Sequence, residues 1–90
     1  MKIIVCYDIS DTNIRTKVSD FLCNYFYRVQ KSVFEGFATN KELDKVIAYL
    51  EEHIKNADTI RIYKLCNKCD QQIELIGSSE QIVEKNFIII

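Results

Sequence analysis

The chain has 90 residues, of which 48% are hydrophobic and 28% charged, and its formal net charge at pH 7 is −1. This length makes one domain, residues 1–90, that buries roughly 60–65% of its unfolded surface, and it excludes a second core. The net charge excludes a global basic field, so a polyanion would have to bind through a local patch or a metal.

The predicted location of the protein is the cytoplasm. No apolar run approaches the roughly 20 residues of a membrane span, and the first residues do not have a signal-peptide pattern. We therefore expect no membrane partner, and we expect the four cysteines to be reduced thiols rather than a disulfide framework.

The first predicted element is a strand that ends in two polar side chains. Tyr7 and Asp8 follow the unbroken apolar run of residues 3–6, which is typical of a strand buried on both faces. An ionised carboxylate in that place is costly unless something pairs with it or binds it. Asp8 therefore either caps the next turn or accepts backbone N–H groups, or it is a metal-binding or catalytic carboxylate on a rigid strand.

Two amphipathic helices are predicted from the spacing of their apolar residues. Ser10 or Asp11 caps the first helix, whose single stripe consists of Ile14, Val18, Phe21, Leu22 and Tyr25. The second helix begins at the capping box of Thr39 and Glu42, and its stripe consists of Leu43, Val46, Ile47, Leu50 and Ile54.

The remaining predicted elements are strands. Residues 28–38 are β-branched and aromatic, which predicts one strand with a bulge or bend at Gly36. Residues 59–65 alternate, with Ile60 and Ile62 on one face. Residues 66–69 are predicted to form a tight connection to a returning strand at residues 72–76, and residues 87–90 a short fifth strand.

This order of elements fits an α+β fold of the ferredoxin-like sandwich type. One antiparallel sheet carries both helices on one face, and its central strands are expected to be the first strand and residues 59–65. The opposite face then presents Arg61, Tyr63 and Leu65, a surface too apolar to be left in water. The pattern predicts that a partner covers this face.

Two motifs carry a resemblance to a known family. They are the run Tyr-Asp-Ile-Ser-Asp at residues 7–11 and the run at residues 28–35, which begins Arg-Val-Gln and continues through Ser-Val-Phe-Glu. Together with residues 61–63, the segment 65–69 and Gly77, they make the chain resemble the small CRISPR-associated (Cas) adaptation protein. That family is the non-integrase member of the pair that captures new spacers.

The resemblance implies a function and a set of site residues. It implies a homodimer packed sheet to sheet, with the last strand at about residues 86–90 added to or exchanged with the partner's sheet. It implies metal-dependent endonuclease cleavage of RNA or DNA, and a bridge between Cas integrase dimers on spacer-precursor DNA. The family's metal-binding aspartate matches Asp8, and positions implicated in its nuclease activity match Tyr7, Arg15, Arg28 and Phe34.

The residues themselves agree with this chemistry only within limits. Mg²⁺, or Mn²⁺ in its place, often takes one or two carboxylates and keeps several waters, and one Asp8 per chain is a thin site. A two-fold dimer axis near the ends of the first strands would bring two copies together and share the metal between them. The alternative is a non-catalytic nucleic-acid-binding or scaffold module of ferredoxin-like type.

Nucleic-acid binding is expected from a basic patch of Arg15, Lys17, Arg28 and Lys31. The alternative for the patch is a solvated mixed surface, because acidic residues such as Asp20 offset these charges. The chain departs from the family at Phe26, where a glycine usually follows the tyrosine that ends the first helix. A glycine there would serve as a left-handed helix cap, so the departure puts the placement of Arg28 in doubt.

The pair of Cys66 and Cys69 admits three interpretations. It is a structural element of a turn, a redox dithiol or half of a shared zinc site. Zinc needs four ligands, and neither Cys6, Cys23 nor His53 lies at a matching spacing. Two further functions are weaker: an RNA-binding module lacks the expected aromatic motif, and a metallochaperone has its cysteine pair in the first loop after a strand.

Overall fold

The computed structural model describes residues 1–77, which form four strands and three helices. In chain order the elements are β1 (Lys2–Asp8), α1 (Thr12–Leu22), β2 (Tyr27–Gln30), β3 (Val33–Phe37), α2 (Asn40–His53), β4 (Thr59–Leu65) and α3 (Asn67–Asp70). None of the helices within this range has the length and apolar character needed to cross a membrane.

The strands form one antiparallel sheet in the order β2-β3-β1-β4. β1 lies between two neighbours, so that Val5 is paired with Phe34 of β3 on one side and with Ile62 of β4 on the other. The predicted α+β class, with one antiparallel sheet and two main helices on one face, is confirmed.

The alternation of β1 creates the core. Ile3, Val5 and Tyr7 face the helices and are at most 6% exposed. They pack with buried side chains of β3 and both long helices: Phe34, Val18, Leu22, Leu43, Val46 and Leu50. Each large apolar side chain that becomes fully buried contributes roughly 1.5–3 kcal/mol, so this layer is the main source of stability.

Both predicted helix starts are confirmed by their caps. The backbone N–H of Glu42 donates to Oγ1 of Thr39 at 3.1 Å, and the backbone N–H of Thr39 donates to Oε1 of Glu42 at 2.9 Å. Hydrogen bonds from Thr39 hold the pKa of Glu42 below its ordinary value. α1 is capped by Asp11, and it ends at Leu22 rather than at Tyr25.

The prediction of a single strand over residues 28–38 is wrong, because this stretch folds into the β2–β3 hairpin. The polar pair Lys31 and Ser32 forms its turn, and two-residue connections are the commonest in hairpins. The predicted bulge is also misplaced: Gly36 pairs in register with Ile3, and the irregularity lies in β2. With the hairpin, the elements follow the ferredoxin-like order β-α-β-β-α-β.

The neighbours of β4 also differ from the prediction. Among the strands of residues 1–77, β1 and β3 are central and β4 lies at the edge, because the hairpin brings β3 back beside β1. The connection predicted at residues 66–69 contains the short helix α3, and residues 72–76 do not form the predicted returning strand. The predicted strand at about 86–90 and the polar stretch 78–85 lie outside the described residues.

The sheet face opposite the helices carries the side chains predicted for it. Arg61 is exposed and Leu65 is half-buried, while Tyr63 is 45% exposed. Tyr27 is 46% exposed and is paired with Glu35 on the same face. A sheet face with two tyrosines open to this extent is a surface to which another molecule can bind.

Phe26, which stands where a glycine is usual in the family, is accommodated without backbone strain. No residue other than glycine within residues 1–77 has a positive φ, so Phe26 does not adopt the left-handed cap conformation. Its backbone N–H donates to the carbonyl of Leu22 at 2.8 Å, and its side chain is 4% exposed. The ring packs directly over Gly36, where a Cβ atom would lie 2.8 Å from Cδ1 of Phe26.

Gly36→Ala is therefore expected to destabilise the protein. The added methyl would also come within 3.2 Å of Cα of Phe26, so the backbone after α1 has to shift. Overpacking of this kind costs about 1–3 kcal/mol in the free energy of unfolding, which urea denaturation measures. The same change in a Phe26→Leu background should cost less, and an equal cost in both backgrounds would contradict this contact.

Candidate active site at the end of β1

An open groove of about 560 Å³ lies at the end of β1, between α1 and the β2–β3 turn. Its lining combines cationic, acidic and hydroxyl groups from four parts of the chain: Tyr7, Asp8, Ile9, Arg15, Thr16, Ser19, Asp20, Arg28, Lys31 and Ser32. Three cations and two carboxylates therefore meet in one place, although they are spread along the sequence from Asp8 to Lys31.

Asp8 is an exposed carboxylate at the rim of this groove. Because side chains alternate along β1, Asp8 points away from the core that Tyr7 enters. Within residues 1–77 no hydrogen bond or ion pair engages its side chain. The first of the two interpretations, in which Asp8 is a cap, is thereby excluded for this part of the chain.

The capping role belongs to Asp11, as the sequence indicated. The backbone N–H of Ile14 donates to Oδ1 of Asp11 at 3.0 Å, and Nζ of Lys55 lies 3.5 Å from Oδ2. The hydrogen bond from Ile14 lowers the pKa of Asp11 from its ordinary value, with a smaller contribution from Lys55. Asp11 is consequently occupied as a structural residue.

Tyr7 is one of the residues that line the groove, and its hydroxyl group is buried. Its side chain is 6% exposed and its ring stacks on Phe34, with 6.2 Å between centroids and 24° between planes. Its buried hydroxyl finds no hydrogen-bond partner in the described part of the chain. A buried hydroxyl without a partner lowers the free energy of unfolding by roughly 1–3 kcal/mol. Unsatisfied groups of this kind are found at functional sites.

Arg28 is held in place by two contacts of different chemistry. Its guanidinium lies over the ring of Phe34, 5.3 Å from the centroid, and Nη2 donates to Oγ of Ser19. Ser19 belongs to α1 and is only 8% exposed, so it ties the hairpin to the helix. The doubt that Phe26 raised about Arg28 is removed, because Arg28 lines the groove.

Arg15 is bound to the loop that follows Asp8. Its Nη1 donates to the carbonyl of Ile9 at 2.9 Å and to that of Ser10 at 3.3 Å. Nη2 donates to Oγ1 of Thr12 at 3.2 Å. The charge of Arg15 still faces the groove, and its hydrogen bonds stiffen the loop that connects β1 to α1.

The groove unites most of the residues predicted from the sequence. Tyr7, Asp8, Arg15, Arg28 and Lys31 all line it. The other two predicted residues lie elsewhere. Lys17 is exposed on α1 outside the groove, and Phe34 is wholly buried beneath it, where it supports two groove residues without reaching a ligand.

Asp20 is a groove residue that the sequence reasoning missed. From the sequence, Asp20 is expected only to be an acidic residue that offsets the basic patch. Arg15, Thr16, Ser19 and Asp20 follow the helical spacing of i, i+1, i+4 and i+5, which puts them on one polar stripe. This stripe was the available signal for the groove side of α1.

The donor set of the groove suits a hard divalent cation. Asp8 supplies a carboxylate without a partner in the described range, and magnesium takes oxygen ligands while keeping several waters. Within residues 1–77 no cluster of three or more His, Cys, Asp or Glu side chains forms a complete site. One chain thus offers an incomplete oxygen site whose remaining ligands must be water, substrate or a second molecule.

Comparison with known proteins adds to this geometry. Residues 1–73 match the sequence profile of the family described as CRISPR associated protein Cas2. A Mycobacterium tuberculosis protein named CRISPR-associated endoribonuclease Cas2 is 40% identical over 65 residues. That match covers 72% of this chain and 58% of the length of the relative.

Solved structures share the fold. The crystal structure of Streptococcus pyogenes Cas2 at pH 6.5 is similar with a TM-score of 0.75 and 29% identity, covering 86% of this chain and 100% of that one. A chain in a partial Cas6-RT-Cas1–Cas2 complex has a TM-score of 0.70 and 30% identity, covering 84% of this chain and 85% of that one. Because the family profile spans residues 1–73 and the fold is the same, this chain belongs to the Cas2 family of CRISPR-associated proteins.

Proposed function

We propose that this protein is a metal-dependent endonuclease that cleaves phosphodiester bonds of RNA or DNA, and that its dimer is a scaffold joining integrase subunits on spacer-precursor DNA. The name of the M. tuberculosis relative, an endoribonuclease, supports the first activity. The solved complex that contains Cas1 and Cas2 supports the second. Both tasks belong in the cytoplasm, where the nucleic acids are.

The observation that carries the proposal is the carboxylate of Asp8, which has no side-chain partner within residues 1–77 and lies beside three cations in one groove. The cations Arg15, Arg28 and Lys31 can neutralise a phosphate and hold it near the carboxylate. Contacts of this kind position a nucleic-acid backbone without reading its sequence. The same cations, with Lys17 on the exposed side of α1, are the proposed nucleic-acid-binding residues.

Asp8 is the residue that would hold Mg²⁺ or Mn²⁺. When bound, such a metal neutralises charge on the phosphate and lowers the pKa of a coordinated water. A dimer with its two-fold axis near the ends of both β1 strands would let two Asp8 side chains share one metal. The proposed dimer is therefore also what completes the site.

The other proposed site residues act on the position of groups in the groove. The hydroxyl of Tyr7 is buried and has no partner in the described range, and we propose that it donates to a phosphate or to a coordinated water once a ligand occupies the groove. Phe34 is buried and supports Tyr7 and Arg28 from below, so we assign it a positioning role. Arg28 lies where it can contact a phosphate oxygen from the hairpin side of the groove.

The open sheet face supports the homodimer. Tyr27 and Tyr63 are each close to half exposed there, and a second copy would bury both. Residues 86–90 are proposed to add to the sheet of the partner as a final strand. The integrase is proposed to bind the assembled dimer.

One observation favours a second function, a scaffold without catalysis. The groove has two carboxylates, Asp8 and Asp20, and no complete cluster of metal-binding side chains occurs within residues 1–77. A hydrolytic enzyme usually has more metal-binding or acid–base groups than these two carboxylates. Cleavage by a purified variant separates the two functions.

Asp8→Asn is expected to abolish divalent-metal-dependent cleavage while leaving a folded dimer. The amide keeps the shape of the side chain but removes the charge that binds the metal, and the exposed position contributes little to folding. Cleavage of labelled RNA and DNA, with and without a chelator, measures the activity, and sedimentation measures the dimer.

Asp44→Asn is the matched control, because Asp44 is exposed on α2 outside the groove. This control should cleave like the unmodified protein. If Asp8→Asn retains full cleavage in a preparation free of contaminating nuclease, Asp8 is not catalytic. If the unmodified protein does not cleave either substrate, the scaffold function stands alone.

Tyr7→Phe is expected to be as stable as the unmodified protein or more stable, by up to about 1–3 kcal/mol, because it removes an unpaired buried hydroxyl. Cleavage should fall if that hydroxyl meets the phosphate or a coordinated water. Urea denaturation and the cleavage assay give the two values. A clear loss of stability would mean that the hydroxyl has a protein partner in solution.

Tyr63→Asp is expected to shift the protein from dimer toward monomer. The change places a charge on the open sheet face, where burial without a partner for the carboxylate is unfavourable. Sedimentation at micromolar concentration measures the shift. Ala48→Asp, exposed on α2, is the control and should stay dimeric, and an unchanged dimer for Tyr63→Asp would rule out this face as the interface.

A further inference from the structure

The pair of Cys66 and Cys69 lies at the junction of β4 and α3 and does not belong to the groove. Cys66 is the N-terminal flanking residue of α3, and Cys69 lies within that helix. Their two Sγ atoms are 3.5 Å apart and share a hydrogen bond, and both side chains are exposed. The two thiols are therefore adjacent to each other and accessible to a reagent in solution.

The sheet separates this pair from the proposed catalytic groove. In the register of β1 and β4, Lys2 is paired with Leu65 while Asp8 is paired with Thr59. The cysteines follow Leu65, so they lie at the opposite end of β4 from the groove. At about 3.4 Å for each residue of an antiparallel strand, the two ends of the seven-residue β4 are roughly 20 Å apart.

We propose that Cys66 and Cys69 form a reversible dithiol–disulfide couple that exchanges with low-molecular-weight disulfides such as oxidised glutathione. The thiolate of Cys66 attacks one sulfur of the disulfide, a mixed disulfide forms, and the first glutathione thiolate leaves. Cys69 then attacks Sγ of Cys66 and displaces the second thiolate. The two protein thiols lose two electrons and two protons, and one oxidised glutathione becomes two reduced glutathione molecules.

The geometry permits this bond with a small movement. A disulfide needs an S–S distance of about 2.05 Å, so the sulfurs must approach by roughly 1.5 Å from their present separation. Both residues are exposed, and their side chains can rotate without displacing core atoms. The same arrangement of neighbouring thiols does not exist for Cys23, which is exposed on its own after α1.

The surroundings of the two sulfurs assign their roles. The nearby backbone N–H of Cys69, and after it the neighbouring thiol, lower the pKa of Cys66. The pKa of Cys69 is raised, chiefly by its hydrogen bond with Cys66. The thiolate is the nucleophile in exchange, so Cys66 is the attacking residue and Cys69 the resolving residue.

A zinc site is less well supported for this pair. Structural zinc takes four ligands, and no third His, Cys, Asp or Glu joins the two cysteines among the side chains that the structure describes. Two thiols without further ligands favour exchange chemistry over a structural metal. The inference concerns residues outside the groove, so it does not depend on the proposed nuclease function.

The test equilibrates the reduced full-length protein with glutathione buffers of increasing oxidised fraction, traps free thiols with an alkylating reagent and measures the intact mass. We expect the loss of two alkyl groups per chain as the buffer becomes oxidising. Trypsin cuts after Lys64, before both cysteines, and after Lys68, which lies between them. The disulfide should therefore join the peptide of residues 65–68 to the peptide that begins at Cys69.

Three variants make the result specific. Cys69→Ser should stop at a glutathione adduct on Cys66, and Cys66→Ser should not form the internal disulfide. Cys23→Ser is the matched control and should behave like the unmodified protein. The inference is overturned if all cysteines are alkylated at every glutathione ratio, if the bond forms between other cysteines or between chains, or if the protein as purified holds stoichiometric zinc that blocks both thiols.

Discussion

The central position of β1 is the constraint on which the rest of the structure depends. β1 is hydrogen-bonded to β3 on one side and to β4 on the other, so its backbone cannot move independently of the sheet. Because its side chains alternate, Tyr7 enters the core while the next residue, Asp8, reaches solvent. The backbone therefore holds the carboxylate in a defined position, although its side chain has no partner within residues 1–77. Such preorganisation is typical of ligand-binding groups.

The groove beside Asp8 is organised by Phe34, which is buried beneath it, and by Ser19, which is part of its lining. The buried ring of Phe34 contacts both the ring of Tyr7 and the guanidinium of Arg28. One aromatic side chain therefore supports both groups. Ser19 links α1 to the hairpin through Arg28. Three cations and two carboxylates line the groove, so it is locally cationic although the net charge of the chain is −1.

The two ends of the sheet carry different chemistry. Oxygen donors and cations collect where β1 ends, and two soft thiols lie where β4 ends. Phe26, which follows α1, packs closely against Gly36 of β3. This contact takes the place of the glycine cap that the family usually has. This contact fixes the direction of the hairpin and hence the approach of Arg28 to the groove.

The sequence by itself determined the features that depend on local spacing. These are β1 with its terminal carboxylate and the two amphipathic helices with the caps of Asp11 and Thr39. Five of the seven site residues predicted from the sequence line the groove. Tertiary structure decided the rest. The sequence of residues 28–38 predicts one strand because both halves have strand propensity. The pairing of β3 with β1 and with β2 shows that the stretch folds as a hairpin. Asp20 lines the groove, and Phe34 is buried beneath it. Packing between distant segments, rather than neighbours in the chain, decides which face of an element contacts another.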